Sequence, residues 1–215
     1  MTIIVAIDGP SGSGKSSTAK SLARRAKWSY LDTGALYRAT TWLALEKGLK
    51  EESEIAAALE ERPISISTDA EKQRIKVQGQ DVTAAIREER VTGAVSVYSA
   101  MPNVRRKLVE LQREIISAAK NGIVVEGRDI GTVVAPHAHV KIYLQADIKA
   151  RAARRELELR GLSIESGGAE EVAESLQTRD ALDSSREASP LRQAEDAIVI
   201  DSTNLNLDET VDYIW

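Results

Sequence analysis

Cysteine is absent from the 215 residues, so no disulfide framework holds this chain together and no thiolate metal site carries its chemistry. Histidine occurs only as His137 and His139, beside a strand start after Pro136. No carboxylate or cysteine pattern surrounds them, and metal ligation through them is not expected. Long apolar runs are missing too. The first one, Ile3-Ile4-Val5-Ala6-Ile7, follows no basic segment and is too short for a signal peptide or a membrane span, so a cytoplasmic protein with no membrane partner is expected. Nor is there an excess of positive charge: 33 acidic against 29 basic residues leave a net charge of -4, which offers no general surface to nucleic acid and means that basic residues must be judged locally. Internal repeats, low-complexity tracts and the Asn-Lys-x-Asp sequence of guanine recognition are likewise missing.

What is there suits a compact enzyme. With 42% hydrophobic residues the chain can bury a full core, enough for one domain with insertions or for one and a half domains. Near its start, Gly9-Pro10-Ser11-Gly12-Ser13-Gly14-Lys15-Ser16, with Ser17 next, fits the G-x-x-x-x-G-K-[ST] phosphate loop and follows the apolar run directly. Glycines let successive N–H groups turn into one cavity, and the N-terminus of the following helix adds positive potential, so the segment is a place for nucleoside triphosphate. Lys15 is expected at the β- and γ-phosphates, and the Ser16 hydroxyl at a Mg²⁺ ion that keeps most of its waters.

Continuous apolar runs recur at residues 3–7, 123–125, 140–144 and 197–200, with a weaker one around 28–31. These read as five buried strands separated by helical segments, the pattern of a parallel sheet covered on both faces. The spacing of Val104, Leu108, Leu111 and Ile115 predicts a helix over 103–120, and Asn206 with Glu209 predicts a capped C-terminal helix. Residues 63–83 break the alternation with a period of two, which reads as a small antiparallel insertion with one solvated face. Residues 149–190 are charge-dense and helical, with a glycine break at Ser166-Gly167-Gly168. Trp28, Trp42 and Trp215 read as packing residues.

Phosphoryl transfer to a small acceptor needs clustered arginines, exclusion of water and a group that orients the attacking oxygen. Three segments supply candidates. Asp32-Thr33-Gly34-Ala35-Leu36-Tyr37-Arg38 reads as an acceptor-binding turn with Arg38 as a clamp, or as a helix start with Asp32 as N-cap. Glu126-Gly127-Arg128-Asp129-Ile130-Gly131-Thr132 leaves the end of a strand, where sites of open α/β sheets gather, although a salt-bridged turn fits equally. In the segment 179–186, Arg179, Asp183 and Arg186 fall on one helical face, which suits a site or an exposed ion-pair ladder.

In this order and spacing the segments resemble the bacterial cytidylate kinases, nucleoside monophosphate kinases that move the γ-phosphoryl group of ATP to CMP or dCMP. The likeness covers nearly the whole chain, through Ser189-Pro190-Leu191. The resemblance implies an α/β, three-layer P-loop kinase fold with a five-stranded parallel sheet, a small antiparallel β insertion and a helical lid. Its P-loop core would comprise 1–61, 91–148 and 187–215, its acceptor-nucleotide subdomain 62–90 and its lid 149–186. ATP is implied as co-substrate with Mg²⁺, CMP or dCMP as acceptor, and a monomer that binds no nucleic acid.

The residues that match family positions imply roles for this chain. Arg38, Arg128 and Arg186 would grip the acceptor's phosphate as guanidinium forks. Thr33, Ser96, Arg105 and Asp129 would meet the cytosine ring, Arg179 and Asp183 the sugar. Lys15, Arg128, Asp129 and Arg186 would form the catalytic set, and arginines 151, 154, 155 and 160 would lie in the lid, none of them singled out as meeting the transferred group. One departure stands out: the family's DGRD-type segment reads Glu126-Gly127-Arg128-Asp129 here, so the first carboxylate is one methylene longer.

Overall fold

The protein, seen in a computed structural model, is described for residues 2–161 and 168–215, so Ser166 and Gly167 of the expected glycine break lie outside the described residues. In chain order the elements are β1 (Ile3–Asp8), α1 (Lys15–Ala26), β2 (Ser29–Asp32), α2 (Thr33–Lys47), α3 (Glu52–Glu60), β3 (Ile64–Ile66), β4 (Ile75–Val77) and β5 (Gln80–Asp81). A 3-10 turn at Ala85–Arg87 leads to α4 (Glu89–Ala100), α5 (Pro102–Ala118) and β6 (Gly122–Gly127). A π-helical turn at Ile130–Val134, β7 (Val140–Gln145), α6 (Ile148–Gly161), α7 (Ala169–Ser184), β8 (Ile198–Asp201) and α8 (Leu207–Ile214) complete the chain.

The five apolar runs pair as one sheet in the order β2-β6-β1-β7-β8, with every pair parallel. Their side chains are apolar in succession because both faces are covered. Val5, Ile7, Val124 and Ile142 pack toward Ala19, Leu22 and Ala23 of α1, whereas Ala6, Ile123 and Val125 pack toward Leu36 and Leu43 of α2 and Leu108 of α5. At the carboxyl edge Asp8 stands in register with Gly127, and Asp32 with Glu126. Three sequence segments thus emerge side by side, at the edge where open α/β sheets hold ligands.

The period-two stretch forms the antiparallel sheet β3-β4-β5. Its inward residues Ile64, Ile75 and Val77 join the same apolar cluster as α2 and α5, so the insertion is rooted in the main core. The charged helices differ: Ala152 of α6 packs with Val172 and Leu176 of α7 in a small cluster of their own. The helix predicted over 103–120 begins with Pro102 at its first turn and ends at Ala118. Asn206 accepts from the Glu209 N–H at 2.9 Å and its own N–H donates to Glu209 Oε2 at 2.8 Å, the expected capping box. The tryptophans pack as expected: Trp42 is buried, Trp28 lies over Gly122, and Arg25 stacks on Trp215 at 4.7 Å. His139 is an ordinary acceptor, taking the Ile4 N–H on Nδ1 at 3.1 Å.

Candidate active site

The loop between β1 and α1 turns through positive φ at Gly9, Gly12 and Gly14, conformations that side chains resist. At Gly9 space excludes a side chain as well, because a Cβ there would lie 2.0 Å from the Leu144 carbonyl oxygen. Lys15 opens α1 and is buried, with its Nζ donating to the Pro10 carbonyl at 2.7 Å.

Beside the loop, Asp32 ends β2 and accepts the Ala35 N–H at 2.9 Å, which starts α2 at Thr33. The segment from Asp32 to Arg38 is therefore the first part of a helix, where a turn was one of the two expectations. Both properties coexist, since Arg38 reaches back to Asp32 Oδ2 at 2.8 Å and still lines the cleft. Against the pull of burial, Arg38 holds the Asp32 carboxyl below the usual carboxylate range.

From β6, Glu126 is buried and accepts the Tyr30 hydroxyl at 2.7 Å, while its carbonyl takes Thr33 Oγ1 at 2.7 Å. Burial first, then Asp32, pushes the Glu126 carboxyl up. Gly127 is tightly enclosed: a Cβ would stand 2.6 Å from both Ile130 Cδ1 and Thr33 Oγ1, so those side chains would have to shift to admit one. Asp8 shapes the turn that follows by accepting the N–H groups of Ile130 and Gly131 at 2.8 and 2.7 Å; burial pushes its own carboxyl up to about 6.

The salt-bridged turn anticipated for Arg128 and Asp129 does not form within the turn, because each residue pairs elsewhere. Arg128 donates through Nε to Asp183 at 2.8 Å, through Nη1 to the Gly9 carbonyl at 3.0 Å and through Nη2 to Ser11 Oγ at 3.0 Å. Asp129 instead takes Arg105 Nη2 at 2.5 Å, while Arg105 Nη1 donates to the Ser99 carbonyl at 3.0 Å and the guanidinium lies 5.0 Å over the Tyr37 ring. On α7, Asp183 also pairs with Arg186, which lies just past the helix end. The two side chains are only 4% and 7% exposed, so this is a buried pair and not an exposed ladder.

One cleft gathers these groups. Ser11, Gly12, Lys15 and Ser16 line it together with all nine expected acceptor-side residues: Thr33, Arg38, Ser96, Arg105, Arg128, Asp129, Arg179, Asp183 and Arg186. Gly9, Pro10, Ser13 and Gly14 shape the loop without lining the cleft, and Ser17 faces a neighbouring cavity. The cleft also holds Tyr37, Arg87, Ser99, Arg155 and Glu158. Arg155 and Glu158 fall in the charged stretch noted in the sequence, and Tyr37 lies inside a quoted segment, but Arg87 carries no sequence signal.

Cations outnumber carboxylates along the cleft. Burial first, then Arg128, pushes the Lys15 ammonium down to about 7. Burial and then Arg128 also bring Arg179 down to about 9, and burial and then Arg105 bring Arg186 to about 10. A chain of net negative charge has crowded its cations into a desolvated cleft, where each opposes the others' charge until polyanions arrive. The Nε atoms of Arg38, Arg105, Arg179 and Arg186 are buried there with no hydrogen-bond partner among the described residues.

The family model for cytidylate kinase matches residues 5–215. The chain belongs to the cytidylate kinase family. The cytidylate kinase of Streptomyces avermitilis is 49% identical over 214 residues, covering 99% of this chain and 90% of that protein. That of Streptococcus pneumoniae is 47% identical over 216 residues, covering 99% and 96%. Among solved structures, the fold is shared with an uncharacterized protein from Eubacterium ventriosum (TM-score 0.53, 12% identity, 99% of this chain and 96% of that one). It is also shared with a gluconokinase from Sinorhizobium meliloti (TM-score 0.50, 13% identity, 98% and 87%). At such identities the likeness concerns the fold alone. What is shared is the α/β fold, which in this cytidylate kinase family member is built on the five-stranded parallel sheet with the extra antiparallel sheet described above.

Proposed function

We propose that the chain transfers the γ-phosphoryl group of ATP to CMP or dCMP, reversibly, giving ADP with CDP or dCDP. The observation that carries this reading is the meeting, in one cleft of a cytidylate kinase family member, of the phosphate loop with the arginines at 38, 128, 179 and 186 and the Arg105–Asp129 pair. The loop N–H groups and Lys15 hold the donor's phosphates. Arg38, Arg128 and Arg186 hold the acceptor's phosphate, Arg179 and Asp183 its sugar, and Thr33, Ser96, Arg105 and Asp129 its base. An oxygen of the acceptor's phosphate attacks the γ-phosphorus in line; that P–O bond forms as the bond to the ADP oxygen breaks. No covalent enzyme intermediate is required, because positioning and charge stabilisation supply the rate.

Among the described residues no group of three or more His, Cys, Asp or Glu could cage a metal ion. Mg²⁺ needs no cage when substrate phosphates and water provide most of its ligands, and the Ser16 hydroxyl near the Glu126 carboxylate is a hard oxygen set that fits it. The chemistry that ion supplies when bound is neutralisation of phosphate charge. We assign the lid to 149–186 and the acceptor subdomain to 62–90, and we propose a cytoplasmic monomer. No helix among the described residues is long and apolar enough to cross a membrane.

The test is release of ADP with CMP, dCMP, UMP or AMP as acceptor. Fastest turnover with CMP or dCMP is expected. A preference for AMP, or turnover indifferent to any acceptor, overturns the reading.

The base contacts give a narrower expectation. Arg105 occupies Asp129 Oδ2 and leaves Oδ1 to accept from an exocyclic amine. Asp129→Ala is expected to raise the KM for CMP about 10- to 100-fold with little change for ATP, since a buried polar edge left unpaired costs about 1–3 kcal/mol. Steady-state kinetics with each substrate varied in turn decides it, and equal changes for both substrates would count against the contact.

A further inference from the structure

Ser11 has every polar atom engaged by a residue that lies far along the chain. Its N–H donates to Asp180 Oδ1 at 2.9 Å, its carbonyl accepts Arg151 Nη1 at 3.0 Å, and its hydroxyl accepts Arg128 Nη2 at 3.0 Å. Asp180 and Arg151 are themselves an ion pair, with side chains only 16% and 11% exposed. A ring therefore closes: α7 supplies the carboxylate, α6 the guanidinium, and the two together hold both sides of one residue of the phosphate loop. The first turn of α6 also lies directly on the loop, since a Cβ at Gly12 would meet the Arg151 carbonyl oxygen at 3.0 Å.

This grip falls between Pro10, whose ring fixes its own φ, and the flexible stretch that begins at Gly12. Ser11 is followed by Gly12 and, two residues on, by Gly14, both with positive φ and no side chain to fix the turn. The N–H groups of residues 12–15 can point together only if the backbone before them is held, and among the described residues the polar grip on Ser11 comes from Asp180, Arg151 and Arg128. We propose that Asp180, acting with Arg151 through Ser11, is the residue that positions the phosphate loop for the donor nucleotide. One turn further along α7, Asp183 holds Arg128, so a single helix grips the loop by a direct and an indirect arm. The inference rests on the reading of the loop as the ATP site.

Two effects of Asp180 have opposite signs, and this makes the idea testable. A carboxylate close to the cationic cleft opposes an incoming polyanion, so if charge were its only role its removal would tighten nucleotide binding. If it positions the loop, its removal weakens binding. The experiment compares wild type, Asp180→Asn and Asp180→Ala by calorimetric binding of ADP, by KM for ATP and for CMP, and by thermal melting.

Asp180→Ala is expected to weaken ADP binding and to raise the KM for ATP about tenfold, the scale of a lost charge-assisted hydrogen bond, with the KM for CMP changed less than about twofold. Asp180→Asn, which keeps the shape and an acceptor oxygen but loses the ion pair, is expected to fall between that variant and wild type. Unchanged or tighter ADP binding overturns the proposal. So does a parallel rise in both KM values, or a loss of affinity in Asp180→Asn that only accompanies a lower melting temperature. Absence of phosphoryl transfer to CMP by the wild type would instead overturn the proposed function, and the ADP comparison would still judge Asp180.

Discussion

Lys15→Met is expected to lower turnover roughly 10²- to 10³-fold while leaving the protein at least as stable as wild type at pH 6, the size of effect seen when one charge-stabilising donor is removed from a transition state. Lys15 is only 6% exposed, and its Nζ donates to the uncharged Pro10 carbonyl at 2.7 Å. Among the described residues it forms no ion pair. A buried cation without a paired anion opposes folding, so its presence makes sense only if phosphate charge completes it.

The sign of the pH dependence follows from the shift. Burial, then Arg128, brings the ammonium down to about 7 in the fold, below the ordinary lysine range of the unfolded chain. Between those values the unfolded chain binds the proton and the folded one does not, so wild-type stability gains as pH rises through that window. The advantage of Lys15→Met should be greatest at and below about pH 7 and should fade toward pH 10. Urea denaturation at pH 6 and pH 9.5 measures it; a variant less stable than wild type at pH 6 would sink the argument.

Much of this architecture was legible because local chemistry and global fold agree. The five apolar runs read as strands covered on both sides, and they are. The phosphate loop carries its own geometry in Gly9, Gly12 and Gly14, and the Asn206–Glu209 box marks a helix start with two side chains. Arg38 and Arg128 were visible because they sit in short glycine-bearing segments after strands, and Arg179 and Arg186 because they stand at steps of four and three from Asp183.

What the sequence hid was partnership. Asp129 lies beside Arg128 in the chain yet pairs with Arg105, and Arg128 pairs with Asp183, because strand ends and helix faces bring together residues far apart in the chain. Tyr37 reads as one more apolar position of α2, although it underlies the Arg105 guanidinium. Arg87 sits in a polar 3-10 turn without a motif and reaches the cleft only through the way the insertion packs. Asp180 reads as a plain neighbour of Arg179, and its bond to Ser11 spans 169 residues.

Arg128→Lys is expected to lower kcat/KM for both ATP and CMP by about two orders of magnitude or more, a conservative change in charge and a drastic one in geometry. All three guanidinium nitrogens are committed in different directions: Nε to Asp183, Nη1 to the Gly9 carbonyl and Nη2 to Ser11 Oγ. A lysine ammonium is a single point at the end of a flexible stem and cannot span a loop, a helix and an acceptor phosphate at once. The double loss is what distinguishes this position. Asp129 touches only the base side, and Asp180 grips only the donor loop, so their variants should each move one Michaelis constant. Arg128 joins the two sides, since it holds the loop with two nitrogens and α7 with the third while it lines the acceptor cleft. Loss of kcat/KM for one substrate alone, measured with each varied at saturation of the other, would show that Arg128 serves a single subsite and that the two halves of the cleft are joined elsewhere.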